Sequence, residues 1–352
     1  MISIVLTYRN RDLSIVKKCL DSLQNQTQKN FSIILVDYGS EAIFAKQLTV
    51  LVANYTFIKL IACPVLGQLW NKSRAINIAL KETDTPYFLV GDIDLIFKED
   101  FIENAIEFAK KSKVTYFQVG FLAKEESSKS TQFQNYKIKH LSRKEATGIT
   151  LFPTEILKNI NGYDEFYHGW GAEDTDVHIR LLNAGFEVIF YDKEVFMLHQ
   201  WHPKNYRSKE SKEPFHSSLE QINHQYFQKI AQTKKVLANA NNEWGILPKK
   251  VLFKATNAIA LTNQKSEIDA LLYGLFENDK GKNVILNIAL HLEYKTLKTR
   301  IKKIVGKKHT TFYELQTIND LILGNIVAHY RNKYYQFEWN KEKNTIQLKI
   351  AL

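Results

Sequence analysis

The hydrophobic pattern of the first hundred residues alternates between short apolar runs and amphipathic segments. Residues 2–6 and 31–36 are rich in isoleucine and valine, which predicts two buried β-strands. Between them, leucine and valine recur over residues 13–23 at the spacing of one helical face. Because strand, helix and strand follow one another, the two strands are expected to pair in parallel through a right-handed crossover. We therefore expect an α/β protein whose mostly parallel sheet is flanked by helices.

The same patterns continue along the chain. The polar residues 123–140 lack any apolar period and predict a loop, either a lid or an insertion. A polar stretch at 239–244 suggests a boundary between a domain of residues 1–238 and an accessory domain of residues 239–352. Apolar runs predict further strands at 57–62, 87–90, 114–121, 186–191 and 195–198. Helices are predicted at 100–111, 154–160, 174–183, 217–237, 268–275 and 284–297, and residues 67–80 are predicted to form a turn that leads into a helix. Residues 334–339 and 345–350 predict a closing hairpin.

Acidic residues follow the strand predicted at 87–90. Asp92 and Asp94 come directly after it, at the edge where open α/β sheets bind ligands. Two carboxylates so close together favour a divalent metal that bridges to phosphate, although an acidic turn is the simpler interpretation. Thr7, Arg9 and Arg11 follow the first strand and Asp37 the second, so we expect them at the same edge. Arginine there would hold phosphate, and Asp37 would accept from a base or ribose.

Polar residues also lie near the start of the helix predicted within residues 67–80. Asn71, Arg74 and Asn77 share one face near its start, where backbone N–H groups favour phosphate. A second acidic cluster, Glu173 and Asp174 with Asp176, follows two glycines and Trp170. It suits a helix N-terminus, and a general base in a cleft is the sharper interpretation. Single histidines past a strand are more often structural than metal-binding, and this chain has two there, His199 and His202.

These motifs together resemble inverting glycosyltransferases of the GT-A fold, broadly family 2. The likeness extends over residues 1–205 and is strongest to the β1,4-galactosyltransferases and the transferase domains of bacterial polysaccharide polymerases. The matching stretches are Tyr8-Arg9-Asn10-Arg11, Trp70-Asn71-Lys72-Ser73-Arg74 with Asn77, Asp92-Ile93-Asp94, Asn161-Gly162-Tyr163, Gly169-Trp170-Gly171-Ala172-Glu173-Asp174-Thr175-Asp176, and His199. Ala172 departs from the family's second glycine, and the spacing of Met197 and His199 differs, so His202 competes with His199 as a ligand.

The resemblance implies a role for each matching residue. Asp94 would bind Mn²⁺ (or Mg²⁺) with His199 or His202, and Asp92 would contact ribose or support the metal. Glu173 would hold the donor sugar and Asp174 would be the general base, while Trp170 would shape the acceptor platform. A UDP-sugar carrying galactose or N-acetylgalactosamine is the implied donor, and a glycan or lipid-linked glycan is the acceptor. The implied donor-binding residues are Thr7, Tyr8, Arg9, Arg11, Asp37, Trp70, Asn71, Lys72, Asp92, Gly148 and Trp170.

Charge and cysteine usage bear on location and partners. Of the net charge of +11, residues 236–352 carry +8, with 18 Lys and Arg against 10 Asp and Glu. Residues 295–308 hold seven basic side chains and no acid, which predicts either a membrane-surface helix or one that packs its apolar face inward. Two cysteines and no signal-peptide pattern lead us to expect a cytoplasmic protein. We expect no nucleic-acid partner and leave homo-oligomerisation open.

Two other functions compete with glycosyl transfer. A nucleotidyltransferase acting on sugar phosphates would use a similar sheet and two acids, but it predicts a glycine-rich first loop, and residues 7–11 contain no glycine. A non-catalytic protein with a basic binding surface would give no reason for Glu173, Asp174 and Asp176 beside a tryptophan. The sequence therefore favours a glycosyltransferase, and the resemblance implies that it takes part in bacterial surface polysaccharide synthesis.

Overall fold

A seven-stranded sheet forms the centre of the first part of the chain. Its order is β10-β6-β9-β4-β1-β2-β3 within the residues that the computed structural model describes, which are 1–111, 113–203, 213–253, 258–275 and 281–352. Strands β3, β2, β1 and β4 are parallel to one another, and β9 runs antiparallel between β4 and β6. Its strands are β1 (Ile2–Tyr8), β2 (Phe31–Tyr38), β3 (Ile58–Cys63), β4 (Tyr87–Asp92), β6 (Val114–Phe117), β9 (Thr150–Pro153) and β10 (Val188–Tyr191).

The expected α/β fold is confirmed, since helices flank this largely parallel sheet. Aromatic and branched aliphatic side chains of the strands pack against the helices in one core, which includes fully buried Leu6, Leu20, Leu35 and Phe101. The helices are α1 (Leu13–Gln24), α2 (Ala42–Val52), α3 (Lys72–Lys81), α4 (Phe101–Ala109), α5 (Lys124–Ser128), α6 (Thr154–Asn159), α7 (Glu173–Asn183) and α8 (Leu219–Gln232).

A second, smaller sheet lies in the same part of the chain. Its order is β5-β11-β7-β8, with β5 (Leu95–Phe97), β7 (Val119–Leu122), β8 (Ile138–Leu141) and β11 (Met197–His199). The apolar run 114–121, predicted as one strand, is split between the two sheets. The loop predicted at 123–140 is wrong, because this stretch forms α5, a 3₁₀ turn and β8, which pairs with β7.

The described chain divides into two compact units. The first comprises residues 1–63, 70–206 and 220–247, and the second comprises 64–69, 207–219 and 248–352. The sequence-based boundary between 238 and 239 stays a prediction. In the structure, residues 239–247 nevertheless pack within the first unit, where the buried Asn239 donates to the backbone oxygens of Asn161 and Tyr163.

The second unit has a four-stranded sheet of its own, in the order β12-β13-β15-β14. Residues 64–69 add to it, because the backbone oxygen of Gly67 accepts from the N–H of Phe337 at 2.8 Å. Its elements are β12 (Ala258–Thr262), α9 (Lys265–Ala270) with a π-helical turn (Leu271–Leu275), β13 (Asn283–Ala289), α10 (Leu297–Ile304), α11 (Leu315–Asn325) with a π-helical turn (Ile326–Tyr330), β14 (Tyr335–Asn340) and β15 (Thr345–Ala351).

The predictions for this unit are partly right. The closing hairpin is confirmed as β14 and β15, and so is helical structure from residue 265 to 275. The helix predicted at 284–297 is wrong, since β13 lies between β12 and β15 as a central strand. A central strand with apolar residues toward both faces is hard to distinguish from a buried helix by period. No helix among the described residues has both the length and the apolar character needed to cross a bilayer.

Candidate active site

Strand pairing brings one aspartate and two histidines together in the first unit. Antiparallel β5 and β11 place His199 opposite Leu95, one residue after Asp94, and the N–H of Gln200 donates to the backbone oxygen of Asp94 at 2.9 Å. His199 Nε2 lies 3.5 Å from Asp94 Oδ1, and His202 Nε2 lies 3.1 Å from Asp94 Oδ2. One candidate ligand atom from each of the three lies within 4.8 Å of the others. Sequence left His199 and His202 as competitors, whereas the structure has both beside Asp94.

The donor atoms of this cluster fit a divalent cation. Asp94 is buried, and its Oδ1 has no hydrogen-bond partner within the described residues. Burial raises the pKa of Asp94, but the positive potential of His199, His202 and Arg11 outweighs it and holds the pKa below its usual range. His202 Nδ1 lies 3.1 Å from the backbone oxygen of Pro203, and donation there would leave Nε2 as the metal-binding nitrogen. An anionic oxygen with two imidazoles is a suitable ligand set.

Arg11 contacts the same carboxylate. Its Nη2 lies 3.3 Å from Asp94 Oδ2. In this structure the guanidinium of Arg11, for which the sequence predicted a phosphate contact, thus pairs with an aspartate. A cation bound between Asp94 and the histidines would compete with this ion pair.

Lys72 joins the two acidic clusters. Its Nζ lies 3.1 Å from Asp92 Oδ1 and 3.4 Å from Asp174 Oδ2, so the carboxylate after β4 and the carboxylate in the first turn of α7 meet at one ammonium group. Gly148 lies against both, because a Cβ at this residue would be 3.3 Å from Asp174 Oδ2 and 3.9 Å from Asp92 Oδ2. The structure therefore brings Asp92 and Asp174 together at Lys72.

Burial raises the pKa values of Glu173 and Asp174, which begin α7. Burial is the largest cause that raises the pKa of Asp174, and Asp92 adds to it while Lys72 opposes it. Burial and the neighbouring Asp174 likewise raise the pKa of Glu173 to about 7. Asp174 Oδ1 has no hydrogen-bond partner within the described part of the chain, while Oδ2 is held by Lys72. Oδ1 of Asp174 is therefore held in place and can accept a proton.

The ends of β1, β2 and β4 share one edge, as the sequence predicted. Register places Thr7 beside Asp92, and Tyr8 beside Asp37. Burial is the main cause that raises the pKa of Asp37, and hydrogen bonds from Ser40 oppose it. The side chain of Tyr8 is fully buried in the core, and its hydroxyl donates to the backbone oxygen of Arg11. Tyr8 thus supports the turn after β1, and its implied part in donor binding stays a prediction.

The polar face of α3 is internal. Asn71 caps the helix through the N–H of Arg74 at 2.7 Å and donates to the backbone oxygen of Glu165, and Asn77 donates to Glu165 Oε1 at 3.0 Å. Asn71 and Asn77 thus hold the segment that leads to α7, and their part in a nucleotide surface stays a prediction. Trp70 remains half-buried next to Tyr38, with ring centroids 5.8 Å apart.

Sequence reasoning did not recognise two buried charged residues, Glu165 and Arg180, as part of the structural framework. Glu165 pairs with Arg74 at 2.9 Å and also accepts from the N–H of Gly245 at 2.7 Å. Arg180 is fully buried, pairs with Asp176 at 2.7 Å and donates to the backbone oxygens of Ile160 and Gly162. The i,i+4 spacing of Asp176 and Arg180 was a readable signal, whereas the partners of Glu165 lie too far away in sequence.

Trp170 lies in the turn that enters α7. The turn requires left-handed backbone at Gly169, Gly171 and Ala172, with φ of 71°, 105° and 72°. The side chain of Trp170 is 47% exposed, so it offers an aromatic face beside the acidic cluster. Ala172 adopts the conformation that glycine would adopt with less strain, and it still serves as the N-cap of the helix.

Comparison with known families agrees with this arrangement. Residues 3–160 match the family described as glycosyl transferase family 2, and residues 128–202 match the N-terminal domain of galactosyltransferase. The family 2 match covers a little under half of the chain, which is thus similar to family 2 glycosyltransferases over this part. The two matches overlap and together include both acidic clusters and both histidines of the candidate site.

Curated relatives of the glycosyltransferase domain include chondroitin sulfate synthase 3 of Mus musculus, 24% identical over 161 residues, and human beta-1,4-galactosyltransferase 4, 26% identical over 120 residues. These matches extend over 43% and 33% of this chain but only 18% and 30% of the relatives, so the chain spans less than a third of either. Among solved structures, GalNAc-T7 with UDP, GalNAc and Mn²⁺ has a TM-score of 0.50 at 13% identity, with 65% of this chain and 48% of that one covered. This likeness concerns the fold.

Proposed function

We propose that this protein is a metal-dependent inverting glycosyltransferase. It moves galactose or N-acetylgalactosamine from UDP to a hydroxyl of a glycan or lipid-linked glycan, in the synthesis of bacterial surface polysaccharide. The observation that carries the proposal is the position of Lys72, whose Nζ contacts Asp92 beside the candidate metal cluster and Asp174 in α7. Donor and acceptor chemistry would thus meet at one place. The cysteines are buried and free, which supports a cytoplasmic location.

Asp174 is the proposed general base. In an inverting transfer, the acceptor oxygen bonds to the anomeric carbon as the bond from that carbon to the UDP oxygen breaks, and the hydroxyl proton must go to a base. Asp174 Oδ1 is buried and has no hydrogen-bond partner among the described residues, so its lone pairs are available for that proton. Lys72 fixes the other oxygen and with it the orientation of the carboxylate. A base so placed contributes roughly 10²–10⁴-fold in rate.

Asp94, His199 and His202 would hold the metal, with Asp92 in support. When bound, a divalent cation neutralises negative charge that develops on the leaving diphosphate. Two imidazole ligands favour Mn²⁺ over Mg²⁺, which prefers oxygen ligands and water. GalNAc-T7 was solved with UDP, GalNAc and Mn²⁺, the same class of donor and metal as we propose here.

The remaining site residues would bind the donor and the acceptor. Thr7, Arg9 and Asp37 lie at the ends of β1 and β2, where the sheet edge offers a place for the nucleotide. Glu173, whose pKa is about 7, would exchange hydrogen bonds with donor sugar hydroxyls. The exposed ring of Trp170 would stack on an acceptor sugar.

The test is a thermal-shift panel of nucleotide sugars with and without Mn²⁺. We expect UDP-galactose or UDP-N-acetylgalactosamine to raise the unfolding temperature only when Mn²⁺ is present. The shift should be easy to measure, because a ligand at a hundredfold excess over Kd adds about 2.7 kcal/mol of stability. Asp94→Asn should abolish the metal-dependent part. Asp84→Asn, a change at an exposed aspartate, is the matched control and should behave as wild type. A donor shift that is equal with and without Mn²⁺ would contradict metal dependence, and no shift with any nucleotide sugar would contradict the proposed activity.

A further inference from the structure

Residues 295–308 form a basic segment around α10 with its apolar side chains uncovered. Leu297, Ile301 and Val305 follow one another at four-residue spacing and Ile304 lies beside them, so all four share one face. They are 76%, 59%, 57% and 83% exposed, and α10 buries none of its residues. Inward packing, the simpler interpretation of the sequence, does not occur in the second unit.

The charges of the basic segment are largely uncompensated. Lys295 lies 3.2 Å from Glu314 and Lys298 lies 3.7 Å from Glu293, but these pairs are exposed, and exposed pairs contribute little. No ion pair within the described residues involves the other five basic side chains, which are Arg300, Lys302, Lys303, Lys307 and Lys308. On a helix, Lys298 and Arg300 flank the apolar face on its two sides, and Lys302 and Lys303 lie further round.

We propose that the basic segment docks the protein on a membrane surface rich in anionic lipid. An apolar helical face between lysine and arginine side chains matches the boundary between acyl chains and negatively charged headgroups, where such a helix lies in the plane of the bilayer. The long basic side chains at its flanks extend toward the headgroups while their carbon stems stay near the apolar face. Just before the segment, Leu292 is 96% exposed and extends the apolar surface.

Other occupants fit this surface less well. A nucleic acid would pair with the basic groups but would leave Leu297, Ile301 and Ile304 in water. A second copy of the same segment would cover the apolar face but would bring seven positive charges against seven others. An anionic bilayer is complementary to both parts of the surface. The proposal does not depend on the transfer reaction, so it stands or falls separately from the proposed function.

The experiment is co-sedimentation of the full chain with vesicles. We expect binding to vesicles of phosphatidylcholine with one-third phosphatidylglycerol, weak binding to phosphatidylcholine alone, and a loss of binding at high salt. The triple variant Arg300→Gln, Lys302→Gln and Lys303→Gln should weaken binding about a hundredfold, since each basic residue contributes about 1 kcal/mol at such a surface. Lys46→Gln, Lys144→Gln and Lys193→Gln, at exposed lysines of the first unit, change the net charge equally and should not affect it.

A second variant separates lipid insertion from simple charge attraction. Leu297→Gln, Ile301→Gln and Ile304→Gln keep every charge and alter only exposed side chains, so the fold should be kept, and we expect binding to fall at least about tenfold. Ile43→Gln with Val50→Gln, on the exposed face of α2, is the apolar control. Unchanged vesicle binding of the apolar variant would overturn the proposal. So would tight binding of wild type to a DNA oligonucleotide without binding to anionic vesicles, or binding to neither.

Discussion

Asp174 and Asp176 lie two residues apart in the first turn of α7, and their side chains have opposite surroundings. Both carboxylate oxygens of Asp176 are used, since Arg180 Nε lies 2.7 Å from one oxygen and the hydroxyl of Tyr167 lies 3.1 Å from the other. Asp174 has Lys72 at 3.4 Å from one oxygen and no partner for the other within the described residues. The same residue type thus supports the backbone at residue 176, where it is fully buried, and faces the candidate site at residue 174, where it is partly exposed.

This difference shows that burial alone does not mark a functional acid. Asp176 is neutralised by a fixed cation that also holds the chain at residues 160 and 162, so its charge is committed to the fold. Asp174 keeps an unused acceptor next to a lysine shared with Asp92. An open hydrogen-bonding position in a buried site is what allows a substrate proton to be received.

The largest expected effect is on Asp174. Asp174→Asn keeps the shape but removes the proton acceptor, so we expect turnover to fall about 10²–10⁴-fold. Donor binding and thermal stability should stay close to wild type, because the asparagine oxygen can still accept from Lys72. Steady-state transfer assays with a UDP-sugar, together with UDP titration, measure both. Turnover within threefold of wild type would mean that another group is the base.

Asp176→Asn should act on stability instead. The change leaves the buried guanidinium of Arg180 without its counter-charge, and removal of one partner of a buried pair costs about 3–5 kcal/mol. Urea unfolding at 25 °C measures the loss. Combining it with Arg180→Met should recover part of the loss, since the buried charge is then gone. A decrease in the free energy of unfolding of less than about 1 kcal/mol would contradict the structural role of Asp176.

Glu173 should make stability depend on pH in the opposite direction to an ordinary carboxylate. Burial and then Asp174 raise its pKa from 4.5 to about 7, so the folded state binds the proton more tightly than the unfolded state. Its contribution is therefore complete below pH 4.5 and is lost as the pH rises through 7, by about 3 kcal/mol. Glu173→Gln should accordingly be more stable than wild type at pH 8 and similar at pH 4.5, by urea unfolding. Glu145→Gln, at an exposed glutamate, should show no such difference.

The smallest effect concerns the backbone that enters α7. Ala172→Gly should raise the free energy of unfolding by about 1 kcal/mol, because the left-handed φ of 72° is costly for alanine and not for glycine. Ala184→Gly, at the other end of the helix with φ of −82°, should lower stability, since it only adds flexibility to the unfolded chain. If both changes lower stability alike in urea unfolding, strain at residue 172 is not significant.

Periodicity and strand order predicted the parts of the molecule that depend on local pattern. The strands ending at Tyr8 and Asp92, helix α7 and the closing hairpin were all readable, because their apolar periods are unambiguous. The carboxyl ends of parallel strands meet at one edge, so the sequence also predicted that Thr7, Asp37 and Asp92 would come together.

Long-range pairing set the limit of prediction. The polar face of α3 looked like a ligand surface because Glu165, which accepts from Asn77 and Arg74, lies about 90 residues away. Likewise, nothing local indicated that Arg11 would contact Asp94 or that Tyr8 would turn into the core. At β13, apolar residues on both faces of the strand gave a pattern that is also typical of a buried helix. For α3 and for Arg11, the partner lies far away in sequence, so the local pattern does not contain it.

The pairing of β5 with β11 carries a consequence for how the protein matures. The aspartate of the candidate metal cluster is synthesised about a hundred residues before its histidines, and only the antiparallel register of these two three-residue strands brings them together. A slip of one residue would turn the imidazole of His199 to the opposite face of the sheet. Asp94 and the two histidines can therefore come together only after both strands have been synthesised and have paired in this register.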